Sequence, residues 1–359
     1  MNTTERFYQL DGIKGIASFF IIFVHYYGRM GGGEFPLAFL PSLFVEHGDS
    51  FVDLFFIMSG FVFAYTHKTR AGEVSLKDYA IARFKRLYFP VFYAVWLDVL
   101  VRVFAMCVLR VSSRLTVQSL IETLLFADTL LYNHEPFPTV VWYVHVLALC
   151  YMAYYLVLRS KTETRYVIAV FAMFVAGWIL YIQRISFPLL YRNIGRGLFS
   201  FSIGLLINEF QSKVRESTRI KVSVTCMGVA FILLVLGKLT SLTYVFGDFL
   251  FCLKVLIFPT VVIVALNCEF AKKALLFSPL LYLGKISMAV YLVHVPVLNF
   301  IGVFLNPEYG IAYVANGPIR FDTLSGFIII MITIFITAIV WHYIVNERLV
   351  KATNKAIGL

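Results

Sequence analysis

Of the 359 residues, 60% are hydrophobic, 17% aromatic and only 14% charged, and the mean hydropathy is +0.83. Soluble globular domains carry about 25% charged residues, so this composition excludes one and reads as an all-α polytopic membrane protein surrounded by lipid bilayer. The net charge of +11 does not indicate nucleic acid: Lys and Arg fall in short clusters between apolar runs, with no basic face interleaved with aromatics.

The first apolar run, LDGIKGIASFFIIFVHYY over 10–27, carries an acid and a base at one end and a histidine at the other. On a helix the step from Lys14 to His25 is close to three turns, so both project from one stripe roughly 16 Å apart, with Asp11 and Ser18 near it. Ionisable groups are expensive in hydrocarbon and usually point into protein interiors, which makes the stripe of Asp11, Lys14 and His25 the first functional candidate. The GRMGGG that follows lacks a small-residue cleavage site, so the run is expected to be a retained span.

Further runs long enough to cross a bilayer lie near 51–66, 87–109, 140–158, 166–183, 197–210, 222–238, 248–267, 280–304 and 323–345, giving ten spans in one membrane domain over 1–359. With a cytoplasmic N-terminus, nineteen Lys and Arg fall on the inner side and eight on the outer, which places both termini in the cytoplasm. Counting 119–132 as a span would reverse two basic clusters. It is therefore expected to be a re-entrant or interfacial segment, followed by a loop at the prolines of LYNHEPFPTV. The five cysteines show no CxxC or Cys/His spacing, so no metal site is expected.

Several polar residues punctuate these runs. Asp53 and the Ser59–Gly60 pair occur in VDLFFIMSGFVFAY, where Asp53 suits a helix cap or a site and Ser-Gly suits close helix packing. Arg83 and Arg86, three apart in RFKRLYFP, are either a topology signal or a grip on phosphates. Asp98 and Arg102 stand one turn apart, as an ion pair would. His145 sits just inside its span, as a packing residue or a catalyst. Arg184, Arg192 and Arg196 form an expected outer patch for a polar ligand or lipid headgroups. Lys285 has a short route to the boundary and reads as a snorkelling residue, whereas His294 has none and is a site candidate.

Taken in order, LDGIKGIASFFIIFVHYY, VDLFFIMSGFVFAY, RFKRLYFP, SMAVYLVHVP and VNERLVK resemble the acyltransferase-3 family of integral membrane acyltransferases across nearly the whole chain. The resemblance implies a bacterial inner-membrane enzyme that passes an acyl group, usually acetyl, from cytoplasmic acyl-CoA to a hydroxyl, most often of an extracytoplasmic saccharide. Acetyl-CoA or another acyl-CoA is then a donor substrate, with no permanently bound cofactor, and polysaccharide-synthesis proteins are candidate partners. The family's first-helix basic residue and histidine match Lys14 and His25, its Arg-x-x-Arg matches Arg83 and Arg86, and its late histidine matches His294. Position 14 is more often Arg in the family, and the glutamate common after the middle tryptophan is absent from VWYVHVLALCYM.

On this reading His25 either removes the acceptor's proton or transiently carries the acyl group. Lys14, Arg83 and Arg86 hold CoA phosphates, Asp11 steadies Lys14, and His294 orients the acceptor or shuttles the proton. Asp53, Ser59, His145, Arg192 and Arg196 are candidates for substrate contact. The rival readings are a glycan or lipid-linked sugar transporter or flippase, which predicts internal repeats that the sequence does not show, and a non-enzymatic export scaffold.

Overall fold

A run without proline, rich in Ile, Phe and Tyr, forms the twenty-residue helix α1 (Tyr8–Tyr27). The computed structural model describes residues 6–30, 35–37, 45, 47–67, 75–110, 115–128, 136–183, 186–188, 190–239, 253–305 and 319–357. A single 3₁₀ turn (Gly48–Ser50) leads into α2 (Phe51–His67). Next comes α3 (Leu76–Leu109), which starts at Ser75, whose hydroxyl accepts from the Asp78 amide at 3.1 Å, and stops at Arg110 in the left-handed conformation. At 34 residues α3 is about 51 Å long, well beyond the ~30 Å hydrocarbon thickness. The expected span 87–109 is thus only its second part, and Arg83 to Pro90 lie on helix.

The segment expected to be re-entrant contains α4 (Val117–Leu124), an eight-residue helix closed by reciprocal Thr116 and Ser119 hydrogen bonds at 3.1 Å. It is too short to span. Phe126 beyond it packs near Tyr88 of α3, with ring centroids 6.0 Å apart, so the segment folds back into the protein. Residues 129–132 of the expected segment lie outside the described residues.

The chain continues through α5 (Trp142–Leu158), α6 (Glu163–Gln183) and a two-stranded antiparallel hairpin, β1 (Ser186–Phe187) and β2 (Leu190–Tyr191), in which Ser186 pairs with Tyr191. Then follow α7 (Arg192–Lys213) and α8 (Glu216–Leu239). A wide turn, Leu253–Ile257, precedes α9 (Phe258–Asn267), which breaks at Cys268 into α10 (Glu269–Leu275) with a 95° bend. The last helices are α11 (Ser278–Leu305), α12 (Leu324–Trp341) and, after a second wide turn, α13 (Val350–Ala356).

Among the described residues six helical stretches are long and apolar enough to cross a membrane, or seven if the bent pair α9 and α10 makes one span. The chain is therefore an all-α polytopic membrane protein. Helices α1 and α7 match these in length but carry charged and amide side chains that lower their hydropathy. Ile328, Ile332, Ile336 and Val340, each four apart along α12, are about half exposed, a stripe that suits lipid.

Glycines set the tightest helix contacts. A Cβ at Gly12 would strike the Leu275 carbonyl, one at Gly15 would lie 2.7 Å from the Leu280 carbonyl, and one at Gly284 would strike that of Asp11. Gly284 near the start of α11 meets Asp11 near the start of α1, and His294 farther along α11 meets His25 near the end of α1, so these two helices run parallel. In the same way Gly60 of α2 lies on the Phe201 carbonyl of α7, and Gly204 on that of Ile57. Gly60 thus has the packing role expected of the Ser-Gly pair.

Candidate functional site

A cavity of about 300 Å³ lies between α1, α2, α3, α5 and α11. Its lining has a charged part, where the Asp11 ion pairs and the Asp11–Gly284 contact bring Arg6, Lys14 and Lys285 together with Arg86 nearby, and an aromatic and apolar part that includes Phe55, Tyr143, Leu147, Met288 and Tyr291. Asp11 is shared: its Oδ1 accepts from Lys14 Nζ at 3.0 Å and its Oδ2 from Arg6 Nη2 at 2.9 Å. Four cationic side chains thus face a cavity to which one carboxylate contributes, an excess of positive charge suited to a polyanion. Lys285, expected only to snorkel, also sits with its Nζ 5.4 Å from the Tyr343 ring centroid.

The Arg83–Arg86 pair is divided. Arg86 faces the cavity, whereas the Arg83 guanidinium lies 4.6 Å from the Phe63 ring centroid, 5.4 Å from Tyr79 and 5.8 Å from Tyr151, with Nη2 3.4 Å from His67 Nε2. Three residues apart on a helix are about 60° apart in azimuth, enough to send the two side chains to different neighbours. Ser59, between these surroundings, lines the cavity and interacts with the phenols of Tyr143 and Tyr151.

Beyond the apolar end stand His25 and His294, with ring centroids 5.1 Å apart. His294 is fully buried, and its Nδ1 lies 3.0 Å from the Val290 carbonyl oxygen. A carbonyl only accepts, so Nδ1 is the protonated nitrogen and the Nε2 lone pair is left free. Among the described residues that buried Nε2 has no hydrogen-bond partner. A histidine so arranged is able to take a proton from a hydroxyl brought to it. Arg29 at the end of α1 donates to the His25 carbonyl and to Asn299 Oδ1, both at 2.6 Å. Asn299 in turn reaches Asp98 at 3.2 Å, and Asp98 binds Arg102 at 2.7 Å, as its one-turn spacing predicts.

The other candidates are drawn elsewhere. Fully buried Asp53 accepts from Arg196 Nε and Nη2 at 2.9 and 2.7 Å and from Ser200 Oγ at 2.8 Å, and Lys254 Nζ lies 3.3 Å from it. Arg196 also donates to Asp49, and Lys254 to the Tyr181 hydroxyl at 2.8 Å. Arg196 is therefore a buried structural partner and not part of an exposed patch. Arg192, one turn away, is exposed over the Tyr181 ring at 5.2 Å, and Arg184 lies outside the described residues. His145 is paired with buried Asp128 at 3.0 Å and stacked on Phe126 at 3.9 Å, away from the cavity lining. Arg6 and Lys254 join these clusters without a sequence pattern that singles them out as site residues. For Lys254 the one sign is its place inside the apolar run 248–267.

Comparison with known proteins gives two matches. The acyltransferase-3 family model, described as an acyltransferase domain, matches residues 7–344. "Protein 2 in picA locus" of Rhizobium radiobacter is 38% identical over 86 residues, which cover 23% of this chain and 39% of that protein. No solved structure matches.

Proposed function

Because this chain belongs to the acyltransferase-3 family, we propose that it is a membrane O-acyltransferase that moves an acyl group, acetyl first among them, from acyl-CoA to a hydroxyl of a cell-envelope or exported saccharide. The observation that carries this reading is a cavity that has both a cationic and an apolar part and, beyond the latter, a histidine whose Nε2 has no hydrogen-bond partner among the described residues and whose ring centroid lies 5.1 Å from that of a second histidine. Arg6, Lys14, Arg86 and Lys285 take the CoA phosphates, and the apolar part takes the pantetheine arm and its thioester. Along α11 the step from Lys285 to His294 is about 13.5 Å, a distance the arm of CoA is built to cross.

In the transfer the acceptor's O–H gives its proton to a histidine Nε2, and the oxygen bonds to the thioester carbonyl carbon. The C–S bond then breaks and the departing CoA sulfur receives the proton. Residues His25 and His294 share this work, the second serving to orient or relay. If His25 is acylated first, its imidazole nitrogen bonds to the thioester carbonyl carbon as the C–S bond breaks and CoA leaves as the thiol, and the acceptor oxygen then bonds to that carbon as the C–N bond breaks, its proton returning to the imidazole. Ten passes with both termini in the cytoplasm of a bacterial inner membrane set the Lys14 end toward cytoplasmic CoA and the histidines toward the outer half. Proteins that synthesise the polysaccharide are the partners that would deliver the acceptor.

The test reconstitutes the protein in proteoliposomes with labelled acetyl-CoA and a panel of glycans, alongside His25→Ala and Arg86→Ala. Label transfer by the wild type, lost in His25→Ala, is the expected result. Vectorial movement of glycan with neither CoA release nor label transfer overturns it in favour of a transporter.

A further inference from the structure

The apolar end of the cavity is closed by three rings, each from a different helix. Phe55 of α2, Tyr143 of α5 and Tyr291 of α11 stand with centroids 6.1, 6.3 and 5.3 Å apart, which is mutual contact for aromatic rings. All three are buried. The lining ends at Tyr291, while His294 lies beyond it with its ring centroid 5.9 Å away. Tyr291 therefore belongs both to this group of rings, on the cavity side, and to the neighbourhood of His294. Two of the phenols are tethered: Tyr291 donates to the Val140 carbonyl at 2.7 Å, and Tyr143 interacts with Ser59.

We propose that this aromatic collar is the length filter for the acyl group, with Tyr291 as its movable leaf, so that the donor is a short-chain acyl-CoA. The proposal rests on the acyl-CoA reading above and specifies its donor. With the phosphates held at the cationic end, the carbons beyond the thioester carbonyl point at the collar. A chain of two carbons ends beneath the rings, within the space beside Leu147 and Met288. A longer straight chain meets rings already in contact with each other. Tyr291 touches both the collar and His294, and one hydroxyl bond to Val140 holds it in place, so turning this ring joins the cavity to the histidines. The opening made is one ring wide, which passes a small acyl group.

The experiment measures equilibrium binding of CoA, S-ethyl-CoA and S-hexyl-CoA, which are stable thioethers, to the full-length protein in nanodiscs. Wild type is expected to bind S-ethyl-CoA as it binds CoA, and S-hexyl-CoA at least tenfold more weakly. In Tyr291→Ala the hexyl and ethyl compounds should bind within threefold of each other. Tyr291→Leu keeps an apolar side chain on α11 and should recover at least threefold of the difference, which retains a test if the alanine variant does not fold. Equal binding of the two thioethers by wild type overturns the collar, as does an unchanged ratio in a folded variant that still binds CoA. Failure of CoA itself to bind the wild type overturns the donor reading instead, and with it the filter.

Discussion

Two charged clusters in this protein begin from similar material and end differently. Around Asp53, Arg196 and Lys254 converge on a fully buried carboxylate, and Ser200, Asp49 and Tyr181 take up their remaining hydrogen bonds. Around Asp11, Arg6 and Lys14 also converge on one carboxylate, but Arg86 and Lys285 join them at a cavity wall. The first cluster is buried except at Asp49 and matched in charge, two cations to two carboxylates, whereas the second has positive charge to spare and space beside it. Charge inside a membrane protein does not by itself mark a site; unmatched charge facing a cavity does.

Substitutions separate the two clusters, and the largest effect belongs to the histidine that the open cluster is placed to serve. His25→Ala is expected to lower acyl transfer by about 10²–10⁴-fold, the usual worth of a general acid–base group, while the unfolding midpoint in detergent stays near wild type. A comparable loss of folded protein would move His25 into the structural class. Asp53→Ala leaves two buried cations without their partner and should destabilise the protein by about 3–5 kcal/mol, read as a fall in thermal midpoint. An unchanged midpoint would erase the distinction between the clusters. Arg86→Ala removes one charge-assisted contact to phosphate and should cost about 1.5–3 kcal/mol of CoA binding, measured by calorimetry, with little change in stability. Asp11→Ala should cost within about 1 kcal/mol of stability, because its partners Arg6 and Lys14 reach solvent. Its CoA affinity should rise, since a like charge has left the cavity mouth.

The helical, membrane-spanning class and the stripe on α1 were legible in the sequence because both depend on local periodicity and hydropathy. The Asp11–Lys14 and Asp98–Arg102 pairs were legible for the same reason, being three and four apart on one helix. What was not legible depends on which helices meet. Lys285 reads as a snorkelling residue until α11 is laid along α1, where Gly284 rests on Asp11 and carries its neighbour to the cavity. Arg192 and Arg196 read as one patch, yet α7 buries the second against α2 and leaves the first outside. The Arg83–Arg86 motif likewise reads as a unit, and only the arrangement of α2 and α5 around α3 divides it.

The glycine contact between α1 and α11 also dates the site within the life of the polypeptide. Its two histidines are separated by 269 positions in the chain, and neither they nor the four cations of the cavity are assembled until the segment carrying residues 278–305 has been synthesised and inserted beside the first helix. A ribosome-bound chain stopped before that point holds the opening helix and its histidine, but without the second helix that completes the cationic mouth and the aromatic closure. On the function proposed above, no transfer takes place through most of the chain's own translation, and the site is first complete with one of the last helices described.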